Sequence, residues 1–478
     1  MSRLTRRSFI QSSAVIGAGF AIGGTKSSGK VLGANDTVRI GVAGLNGRGG
    51  AHVAEFAGMK GVQITYLIDP DTRTYAKRLK EVSSKAGNTP KTVQDVRKAL
   101  DDKELDAISI ATPNHWHSLM TLWGCQAGKD VYVEKPCSHN VHEGRIITEA
   151  AKKYGQIVQH GTQSRSMNEW AKVAELVKSG KYGKLLVSRG LCYKPRGTIG
   201  TKPNTEAPSE LDYNLWIGPA LEVPFNGNYV HYNWHWFWPF GNGDIGNQGV
   251  HQMDIARWMI PGATLPKSVV CLGGRFGYED QGETPNTQIA VFDYGDAHLI
   301  FEVRGLKTGE FHGQKVGNIV HLDEGTIANN KFYPKGSDKG EPLAKVEAGR
   351  GPGQGHFGNF IAAVRSRKTD DLNAPVVEGH YSAALCHLAN VSYRLGEQVP
   401  FNTQTKAFGD DKAAYETLSR MEEHLAKDNG LKLDGQEYRL GRRLAFDAKT
   451  ERFPNDDEAN KLLTRAYRAP FVVPETLV

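Results

Sequence analysis

Disulfides, thiolate metal sites and long apolar spans are what this sequence does without. Its 478 residues hold five cysteines, Cys125, Cys137, Cys192, Cys271 and Cys386. The number is odd and no C-x-x-C pair occurs, so neither a disulfide scaffold nor thiolate-bound zinc is expected. H-E-x-x-H and G-x-S-x-G are both missing, which removes the metalloprotease and serine-hydrolase templates. No apolar run near the start is long enough to span a bilayer; residues 14–22 are too few. Acidic residues are absent from the first 35 positions, where Arg3, Arg6, Arg7, Lys26 and Lys30 stand. Five of the seven surplus positive charges therefore lie there, and the remainder is nearly neutral. That balance excludes a nucleic-acid or membrane surface as the main partner.

What is present begins with a leader. Thr5-Arg6-Arg7-Ser8-Phe9-Ile10 precedes the short apolar run, which reads as a twin-arginine export signal over residues 1–34, with Ala34 as a candidate last residue. The twin-arginine export machinery carries folded proteins, so the expected location is the periplasm. A chain of this length needs two domains.

Residues 38–69 then organise the rest. An apolar strand pattern, 38–43, runs into Gly44-Leu45-Asn46-Gly47-Arg48-Gly49-Gly50, a helical run follows, and a second apolar run, 62–68, ends at Asp69. Strand, glycine turn, helix, strand and acidic residue in this order form a dinucleotide-binding βαβ unit. Gly44 permits the tight turn, Gly49 lets the helix approach the strand, and N–H groups at the helix start face a pyrophosphate. Asn46 replaces the middle glycine of G-x-G-x-x-G, and asparagine tolerates positive φ better than most residues. Asp69 is placed for a ribose hydroxyl and would repel a 2′-phosphate, whereas Arg73 could meet one. NAD is expected, with NADP left open.

The alternation continues with a charged helix (74–85), a connector and helix (91–100), a buried strand (106–111), a helix (118–127), a strand (130–134), a helix (142–154) and a strand (156–159). This predicts an α/β fold with a doubly wound parallel sheet. Ligands bind outside the carboxyl ends of such strands. The loop Thr112-Pro113-Asn114-His115-Trp116-His117, the strand end Glu134-Lys135-Pro136, and Gln163 and Arg165 are thus expected at the site. Past residue 166, helix 169–179 and a long strand (184–193) precede strands near 268–272, 288–292 and 297–303. Turn signals separate them, predicting a mainly antiparallel sheet, with helices at 355–366 and 377–394. The boundaries expected are 35–165 for the cofactor domain, 166–400 for the substrate domain and 401–478 for an extension, partly helical at 411–427, without a nameable motif.

Two groups carry candidate chemistry. Lys135 would hold an ammonium beside the nicotinamide and favour a developing alkoxide. On a helix, Asn247, His251, Asp254 and Trp258 fall at steps of four, three and four and share a face. His251 is then a proton acceptor and Asp254 a carboxylate able to orient it. His115 with His117, or His231 with His235, lack the company a metal site needs, and no metal is expected. Trp216, Trp234 and Trp236 are candidates to stack on a sugar face.

Together, residues 38–50, Thr112-Pro113-Asn114, Glu134-Lys135-Pro136 and Gly249-Val250-His251-Gln252-Met253-Asp254 resemble the Gfo/Idh/MocA oxidoreductases, the relatives of glucose–fructose oxidoreductase and inositol dehydrogenase. The resemblance implies an N-terminal Rossmann domain and a C-terminal α+β domain with an open, mainly antiparallel sheet, through which homodimers or homotetramers form. It implies catalytic Lys135 and His251 and an NAD(P) site drawing on Gly44, Asn46, Gly47, Arg48, Gly49, Asp69, Thr112, Pro113, Asn114, His117, Glu134 and Lys135. The substrate side draws on Lys135, Gln163, Arg165, Trp234, Asn247 and His251. The family often has an aspartate where Asn247 stands; Asp244 or Asp254 are candidates to replace it.

The expected activity is NAD(P)-dependent oxidation of a hydroxyl on a sugar, glycoside or cyclitol, with tightly held cofactor. An alternative is redox-neutral glycoside cleavage through a transient keto-sugar, although the histidine- and glycine-rich signature of such glycosidases is not found here. A third is a non-catalytic sugar-binding protein on the same scaffold.

Overall fold

Five apolar runs and the short polar stretch Lys91–Val93 form the six strands of an all-parallel sheet in the computed structural model, which describes residues 37–477; the expected export signal lies outside them. The strands are β1 (Val38–Ala43), β2 (Val62–Ile68), β3 (Lys91–Val93), β4 (Ala107–Ile110), β5 (Asp130–Val133) and β6 (Val158–His160), in the order β3-β2-β1-β4-β5-β6. Every residue of β4 and β5 is buried, as a parallel sheet covered on both faces requires. The order reverses between β1 and β4, and there the loops after the two strands part and leave a crevice. The connector expected at 91–100 hides β3, whose three residues are too few to show any alternation.

Helices α1 (Arg48–Ala57), α2 (Tyr75–Ala86), α3 (Val96–Leu100), α4 (Asn114–Gln126) and α5 (Val141–Tyr154) link these strands. Helix α4 starts four residues before the position expected, so His115 and His117 stand in its first turns rather than on a loop.

Beyond α6 (Asn168–Lys178), β7 (Leu185–Tyr193) begins a second, eleven-stranded sheet. A long segment then contains the short helix α7 (Tyr213–Ile217), capped by the Asp212 carboxylate, and a single 3-10 turn, Asn233–Trp236. It crosses back to the end of β2, where Leu211 bridges Asp71 and Asp212 N–H donates to Pro70 O at 2.9 Å. Helices α8 (Gly243–Gly246) and α9 (Gly249–Trp258) precede β8 (Ser268–Gly274), β9 (Thr287–Asp293), β10 (His298–Arg304), β11 (Val316–Leu322), β12 (Gly325–Ala328), β13 (Lys331–Pro334) and β14 (Glu341–Pro342). All pairings in this sheet are antiparallel except β7 with β10.

The next two helices return to the first sheet. Phe357 and Phe360 of α10 (Gly355–Ser366) pack with Phe56 and Tyr132 on one face, the Tyr132 and Phe357 rings stacked at 4.7 Å. Val376 and Ala383 of α11 (Val376–Arg394) join the core on the other face, while its Leu385 and Leu388 serve the second sheet.

The segment from Glu397 onward belongs to both halves. Strands β15 (Glu397–Pro400), β16 (Glu437–Leu440) and β17 (Leu444–Ala445) extend the second sheet beside β8. Helix α12 (Lys412–Glu423) lays Leu418 and Met421 on the outer face of that sheet, against Val270, Ile289 and Ile300. After α13 (Asp457–Lys461), Phe471 and Val473 reach the first sheet, Phe471 meeting Trp116 edge-on at 5.4 Å. Fully burying such side chains stabilises by about 1.5–3 kcal/mol each, so the extension is part of the core rather than an appendage. All five cysteines are buried and free. Among the described residues, no helix is long and apolar enough to cross a membrane.

Candidate active site

The turn after β1 is tight because glycine allows it. Gly44 has φ +82°, and a Cβ there would lie 2.6 Å from the carbonyl group of Ala111 at the end of β4. A Cβ on Gly49 would sit 1.6 Å from Gly44 O, so only glycine lets α1 approach β1. Asn46 needs no special tolerance: it is not among the residues with positive φ. Its carbonyl and that of Leu45 each accept from the Arg78 guanidinium at 2.8 Å, so a buried arginine of α2 sets the turn's shape. No side chain caps α1 and no acidic residue stands in its first turn, which leaves its start suited to an anion.

Asp69 closes the same turn. Its carboxylate accepts from Leu45 N–H at 2.7 Å and from Asp71 N–H at 2.9 Å while facing the crevice. Burial raises its pKa to about 6, against the pull of those two N–H groups. Arg73 is committed elsewhere, with two bonds to the Asp71 carboxylate at 2.8 and 2.5 Å. His231 also meets Asp71, at 2.9 Å.

At the end of β4, Thr112, Pro113 and Asn114 line the crevice. Thr112 Oγ1 is buried there without a hydrogen-bond partner. His117 lies beneath, with its two nitrogens 2.5 Å from Pro136 O and 2.8 Å from Thr112 O. Burial lowers its pKa, while the two carbonyls, which belong to the loops after β4 and β5, pull the other way because only a doubly protonated ring donates to both. It ties those loops together.

The end of β5 supplies the densest cluster. Glu134 Oε1 accepts from Arg48 at 2.7 Å and Gln163 at 3.1 Å and meets His52 at 3.1 Å, while Oε2 accepts the Lys135 N–H at 3.1 Å. Burial alone would raise the Glu134 pKa. The His52 hydrogen bond and the charges of Arg48 and Lys135 outweigh it and hold the carboxyl well below the usual range. Lys135 Nζ donates to Asn247 O at 2.7 Å and lies 3.4 Å from its Oδ1. Burial lowers the pKa of that ammonium, with Glu134 and Asp244 partly restoring it.

The second domain answers from the other side. Asn247 is not part of α9: it follows α8 with non-helical φ −90° and ψ −92°, so the four-residue step to His251 does not run along one helix. Both residues nevertheless line the crevice. Asn247 Nδ2 lies 3.4 Å from Asp244 Oδ1, and Arg196 grips Asp244 with two bonds of 2.8 Å. Burial and the Lys135 charge lower the His251 pKa to about 3.

Three expected participants lie elsewhere. Asp254 is fully buried and takes both its oxygens to Arg165 Nε, at 2.9 and 2.8 Å, with Ser382 donating as well. Arg165 also meets Glu378 at 3.2 Å and covers the Trp258 ring. Asp254, Arg165 and Trp258 therefore form a buried ionic core behind α9, outside the crevice, because Arg165 and Ser382 hold the Asp254 carboxylate there. Trp236 packs under Arg196, also outside it. Among the described residues, no group of three or more His, Cys, Asp or Glu side chains is placed to hold a metal ion.

The crevice so formed is a cavity of about 360 Å³, within the range of small-molecule sites. A dinucleotide fits what lines it: the glycine turn, the ionisable Asp69 held against that turn, and the unpartnered Thr112 hydroxyl. Residues 38–162 match the model of an oxidoreductase family described by its NAD-binding Rossmann fold, and residues 173–276 match the model of that family's C-terminal alpha/beta domain. The chain belongs to the Gfo/Idh/MocA oxidoreductase family.

Relatives of this Gfo/Idh/MocA chain include a protein named glycosyl hydrolase family 109 protein from Shewanella pealeana, 27% identical over 167 residues, which are 34% of this chain and 37% of the relative. The chain spans less than half the length of the curated relatives it matches. Solved structures with the same fold include the WlbA dehydrogenase of Bordetella pertussis in complex with NADH and UDP-GlcNAcA, at TM-score 0.56 and 18% identity, covering 77% of this chain and all of that one. A levoglucosan dehydrogenase in complex with NADH follows at TM-score 0.54 and 15% identity, covering 74% and 97%.

The Gfo/Idh/MocA cavity also contains residues that the sequence alone did not assign. Gln94, Asp95 and Val96 line it because β3 ends there, and that strand went unrecognised. His231, Tyr232 and His235 line it from the crossing segment. Their signal was the aromatic run 229–240, which had no periodicity to orient it.

Proposed function

We propose that this chain is an NAD-dependent oxidoreductase acting on a hydroxyl of a sugar, glycoside or cyclitol, exported through the twin-arginine pathway with its cofactor already bound. The observation that carries this reading is that Lys135 and His251, from different domains, share one cavity above the glycine turn. Gly44, Gly47, Arg48 and Gly49 would hold the pyrophosphate, Asp69 the adenosine ribose, and Thr112 to Asn114 with Glu134 the nicotinamide side. When bound, the nicotinamide supplies the acceptor for the hydride.

The chain's own groups do the rest. The Lys135 ammonium turns from Asn247 to the substrate oxygen and stabilises the charge that grows there. His251, kept neutral by burial and by the Lys135 charge, takes the hydroxyl proton on a ring nitrogen. Arg196 and Asp244 act behind Asn247, fixing the carbonyl against which Lys135 rests.

NAD is proposed over NADP because Asp69 faces the ribose position and the nearest arginine, Arg73, is already paired to Asp71. The raised pKa of Asp69 gives this a pH signature. Ribose hydroxyls donate to the carboxylate, so binding favours its ionised form and weakens as pH falls through about 6. Titrating NAD binding between pH 8 and pH 5 should show affinity falling below that point in the wild type. Asp69→Asn should bind weakly at every pH with a flat profile. A wild-type profile as flat as the variant's would sink the assignment.

A second reading, redox-neutral glycoside cleavage, is supported by the glycosyl hydrolase name of the curated relatives. Mass spectrometry of products after incubating the cofactor-loaded protein with aryl glycosides and free sugars separates the two. A keto-sugar or lactone is expected for the oxidoreductase and a free aglycone for cleavage. Neither product from any sugar would overturn both.

A further inference from the structure

One more imidazole faces this cavity with its chemistry already set. His235 lies in the short turn Asn233–Trp236, is 8% exposed, and lines the cavity with its ring stacked on Trp234 at 3.6 Å and 19°. Its Nδ1 lies 2.5 Å from the main-chain carbonyl of Tyr232. A carbonyl oxygen can only accept, so Nδ1 carries the proton and Nε2 is left with a bare lone pair. Nε2 has no hydrogen-bond partner among the described residues. Nor is it sealed in the interior, as the unpartnered nitrogens of His115 and His160 are.

Neighbouring donors are engaged elsewhere. Lys135 donates to Asn247, and Arg196 to Asp244 and to the Tyr232 hydroxyl at 3.0 Å. Burial, with the charges of Lys135 and Arg196, keeps the ring neutral, its pKa lowered to about 3 despite the Tyr232 bond. A ring flip would break the Tyr232 bond, so the orientation is fixed. His251 is the opposite case: neither of its ring nitrogens has a partner among the described residues, and its tautomer is free to follow a proton. The two imidazoles therefore suit different tasks.

We propose that His235 is a specificity-determining residue whose Nε2 accepts a hydrogen bond from a second hydroxyl of the substrate, not the one oxidised. The ligand class it selects is a ring polyol, a sugar or cyclitol, that keeps a free hydroxyl at that position. A deoxy or O-alkylated analogue leaves the lone pair buried and unpaired, which is how such sites discriminate. This inference rests on the carbohydrate reading above.

The test uses the full chain with its cofactor and reads binding through tryptophan fluorescence, since Trp216 and Trp234 line the cavity. The probes are methyl β-D-glucopyranoside, methyl β-D-galactopyranoside and myo-inositol, with the monodeoxy analogues of whichever binds. For wild type, one deoxy analogue is expected to bind at least about ten-fold more weakly than its parent. His235→Phe keeps a flat ring on Trp234 and removes Nε2. It should bind the parent about ten-fold more weakly and no longer distinguish that analogue. Parent affinity equal to wild type, or undiminished discrimination in His235→Phe, overturns the proposal.

Should that variant fail to fold, nitrogen NMR of the wild type decides. A protonated Nε2, or an Nε2 signal unmoved by a probe that shifts His251, overturns the role of His235 and leaves the carbohydrate reading standing. Binding of none of the probes removes both.

Discussion

Replacing Lys135 with methionine should lower hydride transfer by about 10²–10³-fold while the cofactor stays on the chain. That is the loss seen when one preorganised donor to a developing oxyanion is removed, about 2.7–4 kcal/mol of transition-state stabilisation. Methionine keeps the length and apolar stem of the side chain, and the ammonium it removes is one that burial already disfavours, so the fold should not suffer. Only the two oxygens of Asn247 lose a donor. Because the interaction strengthens as charge develops on oxygen, kcat and kcat/KM should fall together rather than KM rising alone. Nicotinamide absorbance under single-turnover conditions measures it. Turnover within ten-fold of wild type, with cofactor still bound, would remove Lys135 from the chemistry.

Asp254→Ala should do the reverse, costing stability and sparing turnover. Asp254 is fully buried, accepts from Ser382 and neutralises Arg165, which also meets Glu378 at 3.2 Å. Removing Asp254 leaves the buried Arg165 with only Glu378, which it shares with Arg257, as counter-charge, and breaking such a buried pair costs about 3–5 kcal/mol. Denaturant titration should show that loss, and activity per folded molecule should stay within two-fold of wild type. Lost activity without lost stability would return Asp254 to the catalytic group that its spacing from His251 first suggested.

Those two residues mark what could be read in the amino-acid order. The glycine turn, the strand end carrying Lys135 and the helix carrying His251 were legible because each is a local pattern: a backbone constraint at Gly44 and Gly49, a buried run ending in charge, a 3.6-residue period. Asp254 was misjudged by the same period, since a step of three is a neighbour on the helix surface but not an orientation, and only Arg165, 89 residues away, shows which way it faces. Asn247 looked helical because the pitch of α9 was extended one turn too far back. Arg78 stood on a charged helix with nothing in its neighbours to mark it as the residue that shapes the turn. The role of residues 401–478 was invisible for a plainer reason: strands of two to four residues and a helix whose apolar side faces a sheet built 100 to 200 positions earlier have no local signature.

That last segment changes how copies of this chain can meet. Helix α12 and the strands beside it cover Val270, Ile289, Val291 and Ile300 on the outer wall of the second sheet, so face-to-face stacking of two such walls across β8, β9 and β10 is closed while the tail stays docked. That wall is roofed from within the chain, by Leu418, Met421 and Leu425.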